Sequence, residues 1–281
     1  MNQGNTPDIA YWTGPGGDQW ARHNDFTEHM FAPVTSALLE AVDAKPGERI
    51  VDIGCGCGGL AFALAKRAGP TGSVLGIDVS AAMLGLARRL TPPGAKVEFI
   101  EADATRHEFA RGAFDLLASR HGVMFFADPA RAFANLRTAL KPGGRLVFSC
   151  FRGTRDNPWT NVPLEAAYAL VPRPPKPGPD DPGAFAFAEP ARVERILGGA
   201  GFTQVKLTPH DVTFDLAGGG GLEAAVENML EIGSASRSYD RSDKAMRAKL
   251  AQALRAALAP YAKGKSVTLG AAIWIVTAKN P

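Results

Sequence analysis

The sequence predicts an α/β protein with a seven-stranded, mostly parallel sheet, an antiparallel last strand, helices on both faces, and a helical lid or insertions. Short segments that are hydrophobic throughout alternate with segments whose apolar residues recur at helical spacing. The hydrophobic segments do not alternate apolar with polar residues, which is typical of parallel strands covered on both faces. A chain of 281 residues, 46% of them hydrophobic, is long enough for one large domain with an insertion.

The first half of the chain contains a regular alternation of helices and strands. A helix is predicted at 31–42, and it precedes the first strand. Five strands are predicted at 49–54, 72–79, 96–103, 113–122 and 145–151. Helices are predicted between them at 59–68, 81–90 and 130–140. Ser80 is the expected N-cap of the second of these helices, and the KPGG sequence at 141–144 predicts a turn before the fifth strand.

The pattern changes after residue 151. A proline-rich stretch at 171–183 indicates a loop rather than a helix. The remaining elements are predicted as a helix at 189–202, a strand at 203–216, helical runs at 222–235 and 243–262, and a last strand at 270–279. The last strand is expected to run antiparallel, beside the strand at 203–216.

Four segments follow from this pattern. They are an N-terminal helical lid at 1–45, a cofactor-binding core at 46–151, a loop or lid insertion at 152–188, and the rest of the sheet at 189–281, with a helical insertion at about 217–265.

Composition excludes several classes of protein. The net charge is only +3 and no run of lysine and arginine is present, so a nucleic-acid partner is not expected. Cys55, Cys57 and Cys150 are too few for a disulfide framework or a zinc site, and no metal is expected. The first residues lack the pattern of a signal peptide and no apolar run reaches the ~18 residues of a membrane span. We therefore expect a cytoplasmic protein without a membrane partner.

A glycine-rich stretch, DIGCGCGGL at 52–60, follows the first strand. Glycines let backbone N–H groups approach a ligand because no Cβ intervenes. Gly54, Gly56 and Gly59 fit the dinucleotide spacing G-x-G-x-x-G. Gly54, Gly56 and Gly58, preceded by Asp52, fit equally well the loop that binds S-adenosylmethionine (SAM). The stretch alone leaves both cofactors open.

Acidic residues at the strand ends favour SAM. Asp78 ends the second strand, where a carboxylate can accept hydrogen bonds from the ribose hydroxyls of either cofactor. Asp52 can receive the charged amino-acid end of SAM, whereas dinucleotide loops usually have an apolar residue there. Asp103 ends the third strand and can accept from an adenine amino group. The expected antiparallel last strand is the third feature that favours SAM.

Six stretches of the sequence together resemble a known family. The matching stretches are 11–20, 51–59, 74–84, 101–105, 114–148 and 271–279. The chain resembles class I SAM-dependent methyltransferases of the ubiquinone/menaquinone-biosynthesis-like (methyltransferase type 11) group, strongly over 46–151 and weakly towards both ends. The resemblance implies a Rossmann-like fold with SAM as methyl donor and S-adenosylhomocysteine (SAH) as product. It also implies in-line methyl transfer to an oxygen, nitrogen or carbon atom of a small molecule.

The resemblance also implies site residues. Gly54 and Gly56 would line the methionine and ribose part of SAM, Val79 and Met83 would flank the adenine, and Arg120 would lie beside the methionine moiety. The full set expected to bind the cofactor is Trp20, Asp52, Gly54, Cys55, Gly56, Asp78, Val79, Met83, Asp103, Ala104, Ser119 and Arg120. The set expected to bind the acceptor is Tyr11, His23, His121, Met124 and Trp159.

His121 departs from the family, which often carries an aromatic residue after the Ser-Arg pair. A histidine facing the acceptor can act as a general base, since its ordinary pKa lies near working pH. It can equally be a neutral, hydrogen-bonded residue that shapes the pocket. Both interpretations stay open from the sequence.

Other functions compete with a small-molecule methyltransferase. The same glycine loop would serve an NAD(P)-dependent oxidoreductase, and a non-catalytic SAM-binding protein would keep the same cofactor site. An RNA or protein methyltransferase is disfavoured by the low net charge and by the absence of an Asn/Asp-Pro-Pro-aromatic run after the fourth strand. A monomer or a homodimer is expected.

Overall fold

The computed structural model describes residues 7–178, 180–232, 236, 239 and 243–281. Three helices precede the sheet: α1 (Pro7–Trp12), α2 (Pro15–Arg22) and α3 (Asn24–Val42). The strands are β1 (Arg49–Ile53), β2 (Ser73–Asp78), β3 (Val97–Glu101), β4 (Phe114–Arg120), β5 (Leu140–Phe151), β6 (Thr203–Asp215), β7 (Ala262–Lys263) and β8 (Ser266–Lys279). The remaining helices are α4 (Gly59–Ala68), α5 (Ala81–Leu90), α6 (Pro129–Ala139), α7 (Pro158–Tyr168), α8 (Pro190–Gly199), α9 (Gly221–Glu231) and α10 (Lys244–Leu258).

The strands form one mixed sheet in the order β3-β2-β1-β4-β5-β8-β6. The strands β1 to β5 are parallel to one another, while β8 runs antiparallel to both of its neighbours, β5 and β6. This confirms the mostly parallel sheet with an antiparallel last strand next to the strand at 203–216. A two-residue strand, β7, pairs with β8, so the sheet has eight strands instead of the predicted seven.

Two predicted boundaries need correction. The turn predicted at 141–144 lies within β5, where the pairing with β4 shifts register after Phe114. Gly143 has a φ of 77° and its N–H donates to the carbonyl oxygen of Asn280, so a distant residue holds this irregular stretch in the sheet. The helix predicted at 31–42 begins earlier, at Asn24.

The helical run predicted at 222–235 begins at Gly221 and ends at Glu231, and its residues 233–235 lie outside the described residues. The run predicted at 243–262 is helical from Lys244 to Leu258. Ser80 caps α5 as expected, since its Oγ accepts from the N–H of Met83 at 3.4 Å.

The hydrophobic core lies where the central strands are covered by helices. Ile50, Leu116, Phe148 and Val276, from β1, β4, β5 and β8, are fully buried. On α3, Val34 and Leu38 lie on the buried stripe predicted for this helix and are also fully buried. Because β1 to β5 are parallel, their carboxyl ends meet along one edge of the sheet, where ligands of such folds bind. Within the described residues, no helix has the length and apolar character needed to cross a membrane.

Candidate active site

A cavity of about 770 Å³ lies at this edge of the sheet. The loop after β1, the ends of β2, β4 and β5, helices α1 to α3, and parts of α7 and α9 contribute to its lining. Its volume lies in the range of small-molecule and cofactor pockets. The lining divides into a half that carries charged residues, around the glycine loop, and a half that is apolar and aromatic.

The glycine loop adopts a backbone that other residues enter at a cost. Gly54, Gly56 and Gly58 have φ values of 65°, 54° and 90°. A Cβ added to Gly54 would lie 2.9 Å from the Cα of Gly122, so the loop passes close to the segment after β4. The N–H groups of Gly54 and Cys55 donate to the carbonyl oxygen of Ile77 at 2.8 and 3.1 Å, which holds the loop against β2. Positive φ at three positions explains why glycine recurs here.

Asp52 is a buried carboxyl group at the end of β1, with 1% of its surface exposed. Neither of its oxygens has a hydrogen-bond partner among the described residues. Burial raises its pKa to about 7, Arg120 opposes this shift, and Asp78 and Glu28 add to it. The nearby backbone N–H of Ala61 makes no hydrogen bond of normal geometry and lowers the pKa least. A buried carboxyl group without a partner is costly, so the site fits a ligand that brings a cation or donor.

Asp78 lies at the end of β2 and already orders the loop. Its Oδ2 accepts from the N–H of Gly56 at 2.8 Å, and its Oδ1 accepts from the N–H of Ser80 at 2.9 Å. Burial raises its pKa, and these backbone N–H groups oppose the shift. Each carboxylate oxygen has more than one acceptor lone pair. Asp78 can therefore still accept from two ligand hydroxyls.

Glu28, on α3, is a site residue that the sequence analysis missed. Its carboxylate forms a two-pronged ion pair with the guanidinium of Arg120, which also donates to Thr35 Oγ1 at 2.7 Å. A Cβ added to Gly59 would lie 2.1 Å from Glu28 Oε2, so this carboxylate sits against the start of α4. A sequence signal existed: Glu28 lies three residues before the buried Phe31, on the apolar face of α3.

The predicted adenine end is built by the segment after β3. Asp103 Oδ1 accepts from both the N–H and the hydroxyl of Thr105, at 2.9 and 2.7 Å. Asn135 Nδ2, on α6, donates to the carbonyl oxygens of Ala104 and His107 at 3.2 and 3.0 Å. These bonds fix the backbone that borders the cavity.

His121 follows β4 with a φ of 61°, which is uncommon for a residue with a side chain. Its ring stacks on Phe151 with centroids 4.2 Å apart, and its Nδ1 lies 3.4 Å from Ser149 Oγ. Its Nε2 is buried and has no partner among the described residues. Burial, with a smaller contribution from Arg120, lowers the pKa of His121 to about 3. A ring with so low a pKa is neutral but only weakly basic at working pH, which favours the pocket-shaping interpretation over the general base.

Aromatic side chains from α1 to α3, β5, α7 and the segment after α7 lie next to one another, and we call them the aromatic wall: Trp12, Trp20, Phe31, Phe151, Trp159 and Phe185. Trp20 stacks on Phe31 at 5.9 Å, and Phe31 lies 5.4 Å from the ring of His121. Beyond His121, Phe151 contacts Trp159 and Phe185 at 5.2 and 5.8 Å. Distant segments of the chain thus meet in one apolar surface.

The cavity is bordered by most of the predicted site residues: Trp20, Asp52, Gly54, Cys55, Gly56, Asp78, Val79, Met83, Asp103, Ala104, Arg120, His121, Met124 and Trp159.

Three predicted residues are not among those that line the cavity. Ser119 is fully buried beneath the site, and its Oγ donates to the carbonyl oxygen of Ile53 at 2.7 Å. The ring of Tyr11 packs against Gly16 and Trp12. His23 lies in the junction between α2 and α3.

The fold and the site define a Rossmann-like α/β domain with a glycine-loop cofactor cleft. Residues 51–148 match the family model described as a methyltransferase domain. Over these residues the chain is similar to class I SAM-dependent methyltransferases, including those of the ubiquinone/menaquinone-biosynthesis-like group.

Curated relatives and solved structures agree with this assignment. The chain is 43% identical over 104 residues to demethylmenaquinone methyltransferase of Thermus thermophilus, covering 37% of this chain and 47% of that protein. It is 29% identical over 196 residues to nocamycin O-methyltransferase of Saccharothrix syringae, covering 65% and 69%. The structure of Haemonchus contortus phosphoethanolamine N-methyltransferase 2 with S-adenosyl-L-methionine has the same fold, with a TM-score of 0.57 and 18% identity over 99% of this chain and 61% of that one.

The chain spans only 23–56% of the length of most curated relatives that it matches.

Proposed function

We propose that the protein transfers the methyl group of SAM to a small-molecule acceptor, leaving SAH. The observation that carries this proposal is Asp52, a buried carboxyl group with no partner at the glycine loop. SAM brings an ammonium group and a sulfonium to such a loop, and either positive charge would offset the burial of the carboxylate.

The charges around the loop discriminate against NAD(P). Asp52, Asp78 and Glu28 contribute three carboxyl groups here, and Arg120, which pairs with Glu28, offsets the charge of only one of them. The pyrophosphate of a dinucleotide would place two further negative charges against these acids. Repulsion between like charges at short range costs several kcal/mol in a buried site, and roughly more as water is excluded. The electrostatics therefore favour SAM over the alternative cofactor.

The residues present divide the cofactor between them. Asp52 would receive the ammonium group, Asp78 the ribose hydroxyls, and Asp103 with the neighbouring backbone the adenine edge. Arg120 is the cation available to the carboxylate of SAM, and it would then share its donors between that carboxylate and Glu28. When bound, SAM supplies a methyl group that its sulfonium already activates. The lid helices and the insertion would hold the accepting atom in line with the methyl–sulfur bond and exclude water. Alignment of the two reactants is the main source of rate enhancement in such a transfer.

No general base is required by this proposal. His121 is neutral and stacked on Phe151, which supports a role in positioning the acceptor. An acceptor that must lose a proton could release it after transfer. The names of relatives include an O-methyltransferase, an N-methyltransferase and a C-methyltransferase, and the proposed accepting atom is oxygen, nitrogen or carbon.

Further parts of the proposal concern partners and location. The net charge of +3 supports a small molecule instead of nucleic acid as acceptor, and we propose a monomer or homodimer. Cys55, Cys57 and Cys150 are all free thiols, which supports a reducing, cytoplasmic setting. Residues 1–45 would act as the lid, and 152–188 with 217–265 as acceptor-binding segments.

Isothermal titration of the purified protein with SAM, SAH and NADH tests the cofactor. We expect saturable binding of SAM and SAH and none of NADH, and NADH binding without SAM binding would refute the proposal. Incubation of the SAM-loaded protein with a panel of small metabolites, followed by detection of SAH, tests the reaction. Persistent absence of SAH would favour a non-catalytic SAM-binding protein.

A further inference from the structure

The cavity divides by charge in a way that the cofactor does not explain. Every charged residue that lines it belongs to the segments around β1 to β4, to α3 or to the first turn of α6: Glu28, Asp52, Asp78, Asp103, Arg106, Arg120, Asp128 and Arg131. The lining from the end of β5 onwards contains no charged side chain among the described residues. It consists instead of aromatic, aliphatic, proline, threonine and tyrosine side chains.

This uncharged half presents several aromatic side chains. The ring centroid of Phe151 lies 5.2 Å from that of Trp159 and 5.8 Å from that of Phe185, and Phe214 lies 5.2 Å from Trp159. Trp159 is fixed because its Nε1 donates to Asn157 Oδ1 at 3.0 Å. A phosphate group placed here would be desolvated without a counter-charge, which is strongly unfavourable.

His121 lies at the boundary between the two halves. Its ring is held by the stack on Phe151 and by Ser149, so little rotamer entropy is lost when it makes a further hydrogen bond. Its Nε2 is buried with no partner among the described residues, and such a group is costly until a partner is supplied. An acceptor bound against Phe151 brings a polar atom to the same boundary.

We infer that the half of the cavity formed by Phe151, Trp159 and Phe185 binds a largely apolar acceptor that carries no phosphate, and that His121 selects acceptors with a hydrogen-bonding group. This inference rests on the proposed function, since the acceptor must meet the methyl donor at that boundary. It separates the protein from enzymes whose acceptor is phosphorylated, although phosphoethanolamine N-methyltransferases are among its relatives.

Equilibrium binding to the SAH-loaded protein tests the inference, with 1-naphthol, naphthalene and phosphoethanolamine as probes. One neutral hydrogen bond predicts that 1-naphthol binds about fivefold more tightly than naphthalene. His121→Phe keeps an aromatic ring and removes the nitrogen, so it should abolish this preference while naphthalene binding changes less than twofold. His210→Phe makes the same substitution on the edge strand β6 and should leave the preference intact.

A second variant keeps the test decisive. Phe185→Ala should weaken 1-naphthol and naphthalene by the same factor and leave their ratio unchanged, because it removes ring contact only. Equal affinities of the two probes for the wild type, no binding of either, or phosphoethanolamine binding as tight as 1-naphthol would each overturn the inference. Titration with SAH alone is done first: its failure refutes the proposed function, whereas SAH binding without the probe preference refutes only this inference.

Discussion

The pH dependence of cofactor binding follows from Asp52. Its carboxyl group has a pKa of about 7 in the ligand-free protein because burial outweighs the attraction of Arg120. An ammonium group binds the carboxylate form, so protonation of Asp52 competes with binding. We expect the dissociation constant for SAH to be flat above pH 8 and to rise as the pH falls through 7. Between pH 8 and pH 6 the loss is about tenfold, or about 1.4 kcal/mol.

The measurement is isothermal titration of SAH at half-unit steps from pH 5.5 to 8.5. Asp52→Asn has no titrating group there and should show a flat profile, with affinity at pH 8 lowered at least tenfold by the lost charge-assisted bond, which is worth roughly 1.5–3 kcal/mol. Asp211→Asn removes a carboxyl group that is 84% exposed on β6 and should leave the profile of the wild type unchanged. A wild-type affinity that is constant from pH 8 to pH 6, or a variant with the same slope, would refute the role given to Asp52.

Four further predictions address the same site. Arg120→Gln removes the main influence that lowers the pKa of Asp52, so the pH midpoint of the change in SAH affinity should move above 7 in the same titrations. An unchanged midpoint would contradict this electrostatic account. Asp78→Ala should weaken SAH more than tenfold, or about 1.4 kcal/mol, by calorimetry, and unchanged affinity would show that the ribose does not lie at Asp78. Between about pH 4 and pH 7, Asp52 is protonated in the folded state but ionised in the unfolded state, so its contribution to the free energy of unfolding falls as pH rises. In urea unfolding without ligand, the stability of Asp52→Asn relative to the wild type should therefore increase by up to about 4 kcal/mol from pH 4 to pH 8. No increase would argue against a buried carboxyl group with a raised pKa. Gly54→Ala should lower the free energy of unfolding by more than about 2 kcal/mol, because its Cβ would lie 2.9 Å from the Cα of Gly122. The control Gly94→Ala, at a φ of 78° with no neighbour within 4 Å, should lower it by only about 1 kcal/mol through backbone strain. Equal losses would show that the protein relieves the contact at Gly54.

Local patterns predicted the parts of the fold that depend on neighbouring residues. Hydrophobic strands separated by helices, and the Ser80 cap, are short-range features, and the structure has them where they were expected. The irregular stretch at 141–144 was predicted as a free turn because its glycines favour one. The carbonyl oxygen of Asn280, 137 residues away from Gly143, holds it in the sheet, and no local pattern contains that contact.

The candidate site was predictable to the extent that it follows the strand ends. Asp52, Asp78 and Asp103 border the cavity because parallel strands bring their carboxyl ends together. Ser119 does not line the cavity because adjacent residues of a strand face opposite sides, and its hydroxyl donates to the carbonyl oxygen of Ile53 instead. Glu28 was missed because its partner, Arg120, is 92 residues away in the chain.

The position of β8 has a consequence for how the chain is made. Residues 266–279 lie between β5 and β6, although the ribosome synthesises them last of the strands. Within the described residues β6 pairs only with β8, so β6 has no strand to pair with until β8 has been synthesised. Docking of the final strand therefore completes the sheet after translation has passed residue 279. Chains released before residue 266 would expose two open strand edges, which are templates for aggregation.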